Sequence, residues 1–116
     1  MERRPGLFVT KADTQDWEPD PEVPGSEMHE LVHEGTTWVG MTRITDAPEP
    51  MPWTPDQRES VIVLEGSVRI VFADGSDLTL GVGDMASIPA GEPMTWHVST
   101  PFKEMWVLTG RGSDRE

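Results

Sequence analysis

The residue best placed to do chemistry is Glu59, which comes just before an apolar segment, residues 61–72. A carboxyl group surrounded by apolar side chains keeps its proton to a higher pH than in water, and such a group suits general acid or base catalysis. A neighbouring cation would remove this effect, and Arg43 or Arg58 could provide one. Two interpretations therefore stay open, an acid–base residue and a buried structural ion pair.

The three histidines are the other candidate ligands or acid–base groups, because the chain contains no cysteine. His97 alternates with Met94 and Trp96 along one segment, so it points away from the face that those two residues share. His29 and His33 are four residues apart, a spacing that suits a metal on a helix, but the helical signals around them are weak. We expect all three histidines to lie on the surface.

The charge of the chain argues against several classes of partner. It carries 9 basic and 21 acidic residues, for a net charge of -12. Such a surface repels phosphate groups and anionic lipids, so neither nucleic acid nor a membrane is expected as a partner. The sequence has no run that resembles a membrane span or a signal peptide, and the lack of cysteine fits a reducing compartment. We therefore expect a cytoplasmic protein.

The first 27 residues differ in composition from the rest of the chain. Acidic residues follow one another from Asp13 to Glu34 with no Lys or Arg between them, and repeated X-Pro steps favour an extended backbone. One interpretation is an acidic arm for a basic partner, and the other is a solvated, loosely held segment. The sequence predicts a Pro-rich acidic arm over residues 1–27 and one domain over residues 28–116.

Short apolar segments separated by turn residues follow from residue 37 onward. They are rich in β-branched and aromatic residues and are bounded by Gly, Pro and Asp, and no window keeps a helical period. Their ranges are 37–44, 61–72, 77–80, 85–88, 94–98 and 102–108. This pattern predicts an all-β barrel or sandwich.

One hairpin in this region can be predicted residue by residue. Val68 and Ile70 share a face of their strand, because side chains alternate. A three-residue loop that ends at Gly75 pairs Ile70 with Leu78. It also pairs Val68 with Leu80, whereas a two-residue loop would place apolar residues opposite polar ones. Because a one-residue slip exchanges the buried and wet faces, we predict the three-residue loop.

Two motifs on either side of this hairpin resemble the two signature motifs of the cupin superfamily. The segment ESVIVLEG (residues 59–66) has a Glu seven residues before a Gly, and GDMASIPAG (residues 83–91) has glycines and a proline at fixed offsets. The resemblance covers roughly residues 37–109. It implies a small cupin-type β-barrel, a jelly roll or double-stranded β-helix, that carries the N-terminal arm. Glycine tolerates the bends of such a barrel, and Pro89 should end a strand at its mouth.

The motifs depart from the family at its metal centre. The family usually places two histidines before the Glu of the first motif. This chain has other residues there in either register: Pro52 and Thr54, or Trp53 and Pro55. A further family histidine follows the second motif, where Met94 stands. Glu59 alone remains, and a transition metal needs three or four protein ligands. We therefore predict no conventional metal centre and no cofactor.

Indole rings and thioethers occupy the lining positions of the family instead. They would form an adaptable apolar wall, although packing of the core explains them equally well. From Pro89 to Trp96 the chain also resembles short single-domain cupins related to ureidoglycine-type enzymes, which use metals. The resemblance implies ligand contacts from Met41, Arg43, Trp53, Thr54, Met94, Trp96 and Met105.

Three functions are compatible with these residues. The first is a module that binds a small, largely apolar organic molecule in the barrel. The second is a metal-independent isomerase, cyclase or lyase with Glu59 as general acid or base, and the third is a metalloenzyme with unexpected ligands. Apolar residues point both ways in residues 61–64 and 106–108 and need cover on two faces, so together with the resemblance they favour a homodimer.

Overall fold

The computed structural model describes residues 2–46 and 49–110, and every helix or strand in these ranges is a β-strand. The strands in chain order are β1 (Glu2–Arg4), β2 (Leu7–Phe8), β3 (Glu18–Pro19), β4 (Ser26–Glu34), β5 (Thr37–Ile44), β6 (Met51–Trp53), β7 (Arg58–Phe72), β8 (Asp77–Gly81), β9 (Met85–Ile88) and β10 (Met94–Thr109). Within the same ranges, no helix is long and apolar enough to cross a membrane. The all-β prediction is confirmed.

Two long strands, β7 and β10, run through the whole molecule. The first half of β10 pairs antiparallel with the second half of β7, and after a shift in register the other two halves pair as well. The bend in β7 lies at Gly66, which has a φ of +77°. A Cβ at this position would meet the backbone carbonyls of Ser99 and Pro101, so the close approach of the two bent strands requires glycine.

Strands β3 to β10 form one continuous eight-stranded sheet, and the register shift between β7 and β10 divides it into two smaller sheets. In one sheet, β7 pairs with β9, and β10 pairs with β5, which continues through β4 to β3. In the other, β7 pairs with β8 and β10 pairs with β6. This is the jelly-roll barrel that the resemblance implied. The buried apolar side chains between the sheets are Ile44, Val61, Val63, Val68, Ile70, Leu80, Ile88, Met94, Trp96, Phe102 and Trp106.

The hairpin between β7 and β8 has the predicted register. Ile70 pairs with Leu78, and Val68 pairs with Leu80. Gly75 has a φ of +89° at the end of the three-residue loop, a conformation that side chains larger than hydrogen disfavour. The apolar pairing and the loop chemistry therefore agree on one register.

Alternation along β10 decides which side chains enter the barrel. It buries Phe102, Glu104 and Trp106, while Lys103 and the other residues between them point to the opposite face. The same alternation at the start of β7 buries Glu59. Two carboxyl groups therefore lie inside an otherwise apolar barrel.

The N-terminal arm is joined to the edge of the barrel. β1 and β2 form a separate two-stranded sheet, and β3 pairs with β4. In the segment between β2 and β3, Trp17 packs against Arg43, whose Cζ is 4.6 Å from the centroid of the indole ring. The sequence predicted an arm that ends at residue 27 and a barrel that begins at residue 28. This boundary falls within β4, and the division of the chain stays a prediction. Residues 111–116 of the predicted barrel range lie outside the described residues.

Candidate functional site

A cavity of about 350 Å³ lies between the sheets and the arm. Most of its wall is apolar, and four of the five tryptophans of the chain contribute to it: Trp38, Trp53, Trp96 and Trp106. Four acidic residues also line it: Asp20, Glu22, Glu59 and Glu104. Among the described residues that line the cavity there is no Lys, Arg or His. The site therefore combines aromatic rings with carboxyl groups.

Glu59 is buried at the start of β7, and its Oε1 accepts a hydrogen bond from the Trp53 indole N–H at 2.7 Å. Burial raises the pKa of this carboxyl group, and the hydrogen bond from Trp53 opposes that rise. Neither predicted cation reaches it. Arg43 pairs with Glu27 at 2.8 Å, and Arg58 donates to a serine hydroxyl. The interpretation of Glu59 as a structural ion pair with Arg43 or Arg58 is therefore wrong.

Glu104 is a second buried carboxyl group in the cavity, and the sequence analysis missed it. Its Oε1 has no hydrogen-bond partner among the described residues. Burial raises the pKa of Glu104 well above its ordinary value, and the negative charge of Glu59 raises it further. The signal was present in the sequence, because alternation puts Glu104 on the same face as Phe102 and Trp106.

Hydrogen bonds and ring packing fix three of the indoles. The Trp106 N–H donates to Thr42 Oγ1 at 2.8 Å, and that of Trp53 is held by Glu59. The rings of Trp38 and Trp106 meet edge to face, with centroids 5.5 Å apart and an interplanar angle of 89°. These two rings form a right-angled corner, a geometry that aromatic pairs favour.

Two indole N–H groups are buried without an acceptor in the described part of the chain, those of Trp38 and Trp96. Buried polar groups are nearly always hydrogen-bonded, and exceptions call for an explanation. Both tryptophans line the cavity, as Glu104 does. A molecule in the cavity could supply the missing partners.

The cavity brings together only part of the predicted site. Trp53 and Trp96 line it with Glu59, whereas Met94 is buried in the core and Thr54 is exposed beyond β6. Neither Met94 nor Thr54 lines the cavity. Contact of these residues with a ligand stays a prediction.

The other three predicted ligand contacts point away from the cavity. Thr42 lines it, so its neighbours on β5, Met41 and Arg43, lie on the opposite face of the strand. Met105 is next to Glu104 on β10 and faces a shallow outer depression for the same reason. The family resemblance placed these residues on strands that line the cavity, β5 and β10. Side chains alternate between the two faces of a strand, however, and these three point away from the cavity.

The histidines differ from one another more than the sequence suggested. His97 and His33 are exposed, as predicted. His29 is buried, so the surface prediction for it is wrong. Its ring contacts two groups of the arm: Nδ1 lies 2.7 Å from the Asp16 carbonyl, and Nε2 lies 2.9 Å from the Thr10 hydroxyl. His29 therefore fastens the arm to β4.

The arm completes the wall of the cavity. After β3, its residues Asp20, Pro21, Glu22 and Val23 line the cavity. A tight turn holds them, in which the Ser26 N–H and hydroxyl both donate to the Val23 carbonyl, at 3.1 and 2.8 Å. The acidic arm is thus part of the site.

The donor groups of the cavity do not fit the transition-metal centre of the cupin family. Within residues 2–46 and 49–110 no group of three or more His, Cys, Asp or Glu is arranged to hold a metal. The cavity offers carboxyl groups without imidazole. Such metals usually take three or four protein ligands, with imidazole prominent among them.

Solved structures of other proteins have the same architecture. A protein described as ethanolamine utilization protein Q from Salmonella typhimurium LT2 is 25% identical, with a TM-score of 0.61 over 72% of this chain and 68% of that chain. KdgF from Halomonas sp. is 16% identical, with a TM-score of 0.68 over 91% of this chain and 96% of that chain. A protein of unknown function from Rhizobium leguminosarum is 23% identical, with a TM-score of 0.63 over 78% and 85%. The last two likenesses concern the fold alone.

Comparison with sequences identifies the family. No curated protein sequence matches the chain. The family model for the EutQ-like cupin domain matches residues 47–105, just over half of the chain. The chain therefore belongs to the family of EutQ-like cupin domains.

Proposed function

We propose that the barrel binds a small, largely apolar organic molecule in the cavity between its sheets, without a conventional metal centre. The observation that carries this proposal is the set of buried polar atoms without partners on an apolar wall: Trp38 Nε1, Trp96 Nε1 and Glu104 Oε1. Ligand sites have this composition, with apolar walls that exclude water and a few polar groups that orient the ligand.

Binding can be tested through one indole N–H. Native mass spectrometry and a thermal-shift screen of small organic molecules should identify a ligand. Trp96→Phe keeps an aromatic ring but removes the N–H, so it should weaken the affinity about tenfold, the value of one hydrogen bond. Trp17→Phe is the matched control, because Trp17 is the tryptophan outside the cavity. Equal losses in both variants, or no stabilising molecule in the screen, would contradict the proposal.

A second candidate function is metal-independent acid–base catalysis, as in an isomerase, cyclase or lyase. Two buried carboxyl groups with raised pKa values in one cavity favour it. Glu104, whose pKa is raised more strongly, is the better proton donor, and Glu59 is the better base. In D2O, NMR should show exchange of an acidic C–H of a bound ligand. Glu59→Gln should slow this exchange at least about 100-fold while the ligand still binds. Unchanged exchange would remove Glu59 from the mechanism.

The third candidate from the sequence, a metalloenzyme with unexpected ligands, is the least favoured by the donor groups of the cavity. The resemblance of the sequence to cupins related to ureidoglycine-type enzymes, which use metals, would support this candidate. Elemental analysis of protein purified without a His-tag tests it directly. A transition metal at one equivalent per chain would overturn the proposal of a metal-free site.

We also propose that a second copy of the chain covers the outer face of β7, β9 and β10. The residues that line the depression on this face are uncharged: Ser60, Val61, Ile62, Met85, Ala86, Ser87, Met105 and Val107. Met85 is 74% exposed, which is unusual for a large apolar side chain. An uncharged depression suits self-association of a chain with a net charge of -12. Light scattering of Met85→Lys against the unchanged protein tests the dimer.

The predicted partners and location remain part of the proposal. The net charge of -12 still supports the exclusion of nucleic acid and membranes as partners. We propose a cytoplasmic location, since the lack of cysteine fits a reducing compartment. Fractionation of the cells that make the protein would test it.

A further inference from the structure

The wall of the cavity has a charge imbalance that a purely apolar ligand does not explain. Glu104 is buried, its Oε1 has no partner among the described residues, and the neighbouring acidic group, Glu59, adds a like charge. Asp20 and Glu22 add two more carboxyl groups from the arm, and none of the described lining residues is basic. A buried carboxyl group either keeps its proton, which the raised pKa of Glu104 favours, or is paired with a cation. The described residues that line the cavity supply no cation, so a bound cation would hold Glu104 in its ionised form.

The aromatic rings around these carboxyl groups suit one kind of cation. Tryptophan presents the most favourable ring face to a positive charge, and cages of aromatic rings bind quaternary ammonium groups. Trp38 and Trp106 already form a right-angled corner, and Trp53 is tied to Glu59 by its N–H. No three carboxyl or imidazole groups of the described residues are arranged to hold a metal ion, whereas an ammonium group needs no such arrangement and its attached carbon fills apolar space.

We infer that the ligand is a small organic cation of the ammonium class, held between the indole rings of the cavity and neutralised by Glu104 and Glu59. This inference rests on the proposed function, since it names the ligand of the same cavity. The cation balances the charge of the carboxyl groups that the described residues leave without a cation, and its carbon atoms contact the apolar wall. An anionic ligand would face four carboxyl groups.

The free indole N–H groups specify a second feature of this ligand. Trp38 and Trp96 each need an acceptor, which the described residues do not provide. A carboxylate on the ligand would be repelled by the acidic wall, whereas a hydroxyl oxygen accepts a hydrogen bond without added charge. An ammonium alcohol satisfies both the carboxyl groups and the indoles.

A pair of probes with one shape and different charge tests the inference. Choline carries a quaternary nitrogen, and 3,3-dimethylbutan-1-ol has a carbon atom in its place. Isothermal titration calorimetry should give choline an affinity at least tenfold higher than that of the uncharged alcohol. Glu104→Gln should lower the choline affinity about tenfold and leave that of the alcohol unchanged. Glu65→Gln is the matched control, since it removes the same charge from an exposed position outside the cavity.

Each other outcome overturns the inference. If the uncharged alcohol binds as tightly as choline, the cavity binds small molecules but does not select a cation, and the proposed function stands. If Glu65→Gln weakens choline as much as Glu104→Gln does, the effect comes from the net charge of the surface. If choline does not bind while the screen yields an uncharged ligand, the inference is wrong and the proposed function stands. Failure of every molecule in the screen is the separate result that contradicts the proposed function.

Discussion

Glu104 and Glu59 face one cavity from neighbouring strands, and the charge of Glu59 adds to burial in raising the pKa of Glu104. Because the two carboxyl groups interact, their protons leave in steps that belong to the pair. Glu104 has the stronger upward shift and therefore takes up the first proton as the pH falls. This order gives the cavity a negative charge that depends on pH.

The raised pKa of Glu104 predicts that stability falls as the pH rises. Between the pKa of the unfolded chain and the higher pKa of the folded one, only the folded chain holds the proton, so its advantage is complete at low pH and is lost through the folded pKa. Glu104→Gln, which cannot ionise, should therefore be more stable than the unchanged protein at pH 8, by about 1 kcal/mol or more. Urea unfolding at pH 5 and pH 8 measures the difference.

The control for this prediction is Glu65→Gln, at an exposed position on β7. It should leave the pH dependence of the free energy of unfolding as it is. If Glu104→Gln has the same pH dependence as the unchanged protein, the buried carboxyl group is not the source of the effect.

The hydrogen bond between Trp53 and Glu59 gives a second prediction. This bond lowers the pKa of Glu59 against the effect of burial. Trp53→Phe keeps an aromatic ring in the wall and removes the donor, so the pKa of Glu59 should rise further. Carboxyl carbon NMR titration of the labelled protein measures it, with Trp17→Phe as the control. A downward change would show that the indole does not stabilise the carboxylate.

The sequence predicted those features that depend on neighbouring residues. The β7–β8 register followed from alternation and the loop glycine, and β9 ends at Ile88, just before Pro89, as expected of a residue without an N–H. Glu59 and Trp96 were placed correctly because the signature motifs fix their strands. Local rules together with the resemblance therefore gave the barrel and three residues of its cavity wall, Trp53, Glu59 and Trp96.

Features that depend on distant contacts were not predicted. The burial of His29 depends on Thr10 and Asp16 of the arm, 19 and 13 residues away, and no local pattern records that contact. A bulge in β4 between Glu30 and Val32 also changes which side chains share a face. Met41 was assigned to the wrong face of β5 because the resemblance identifies strands more reliably than the direction of each side chain.

Gly40 lies where the Trp106 ring crosses β5, and this contact gives a third prediction. A Cβ at Gly40 would lie 2.5 Å from the backbone carbonyl oxygen of His29 and 2.9 Å from two carbon atoms of the indole. Gly40→Ala should therefore lower the free energy of unfolding by about 1 to 3 kcal/mol, because the backbone of β4 and the Trp106 ring must both move, and the shift of the ring in the cavity should weaken ligand binding. Gly81→Ala is the control, since its nearest contact would be 3.8 Å away and its change should stay within about 0.5 kcal/mol. Equal effects of the two changes would remove the special role of Gly40.

The fastening of the arm by His29 gives the last prediction. In the tautomer that fits both contacts, Nδ1–H donates to the Asp16 carbonyl and Nε2 accepts from the Thr10 hydroxyl. His29→Ala removes both hydrogen bonds, so trypsin should cleave after Lys11 at least about tenfold faster, the effect of losing about 1.4 kcal/mol of local stability. Ligand affinity should fall as well, because the arm lines the cavity. His97→Ala, on an exposed face, should change neither rate nor affinity, and an unchanged rate in His29→Ala would mean that other contacts hold the arm.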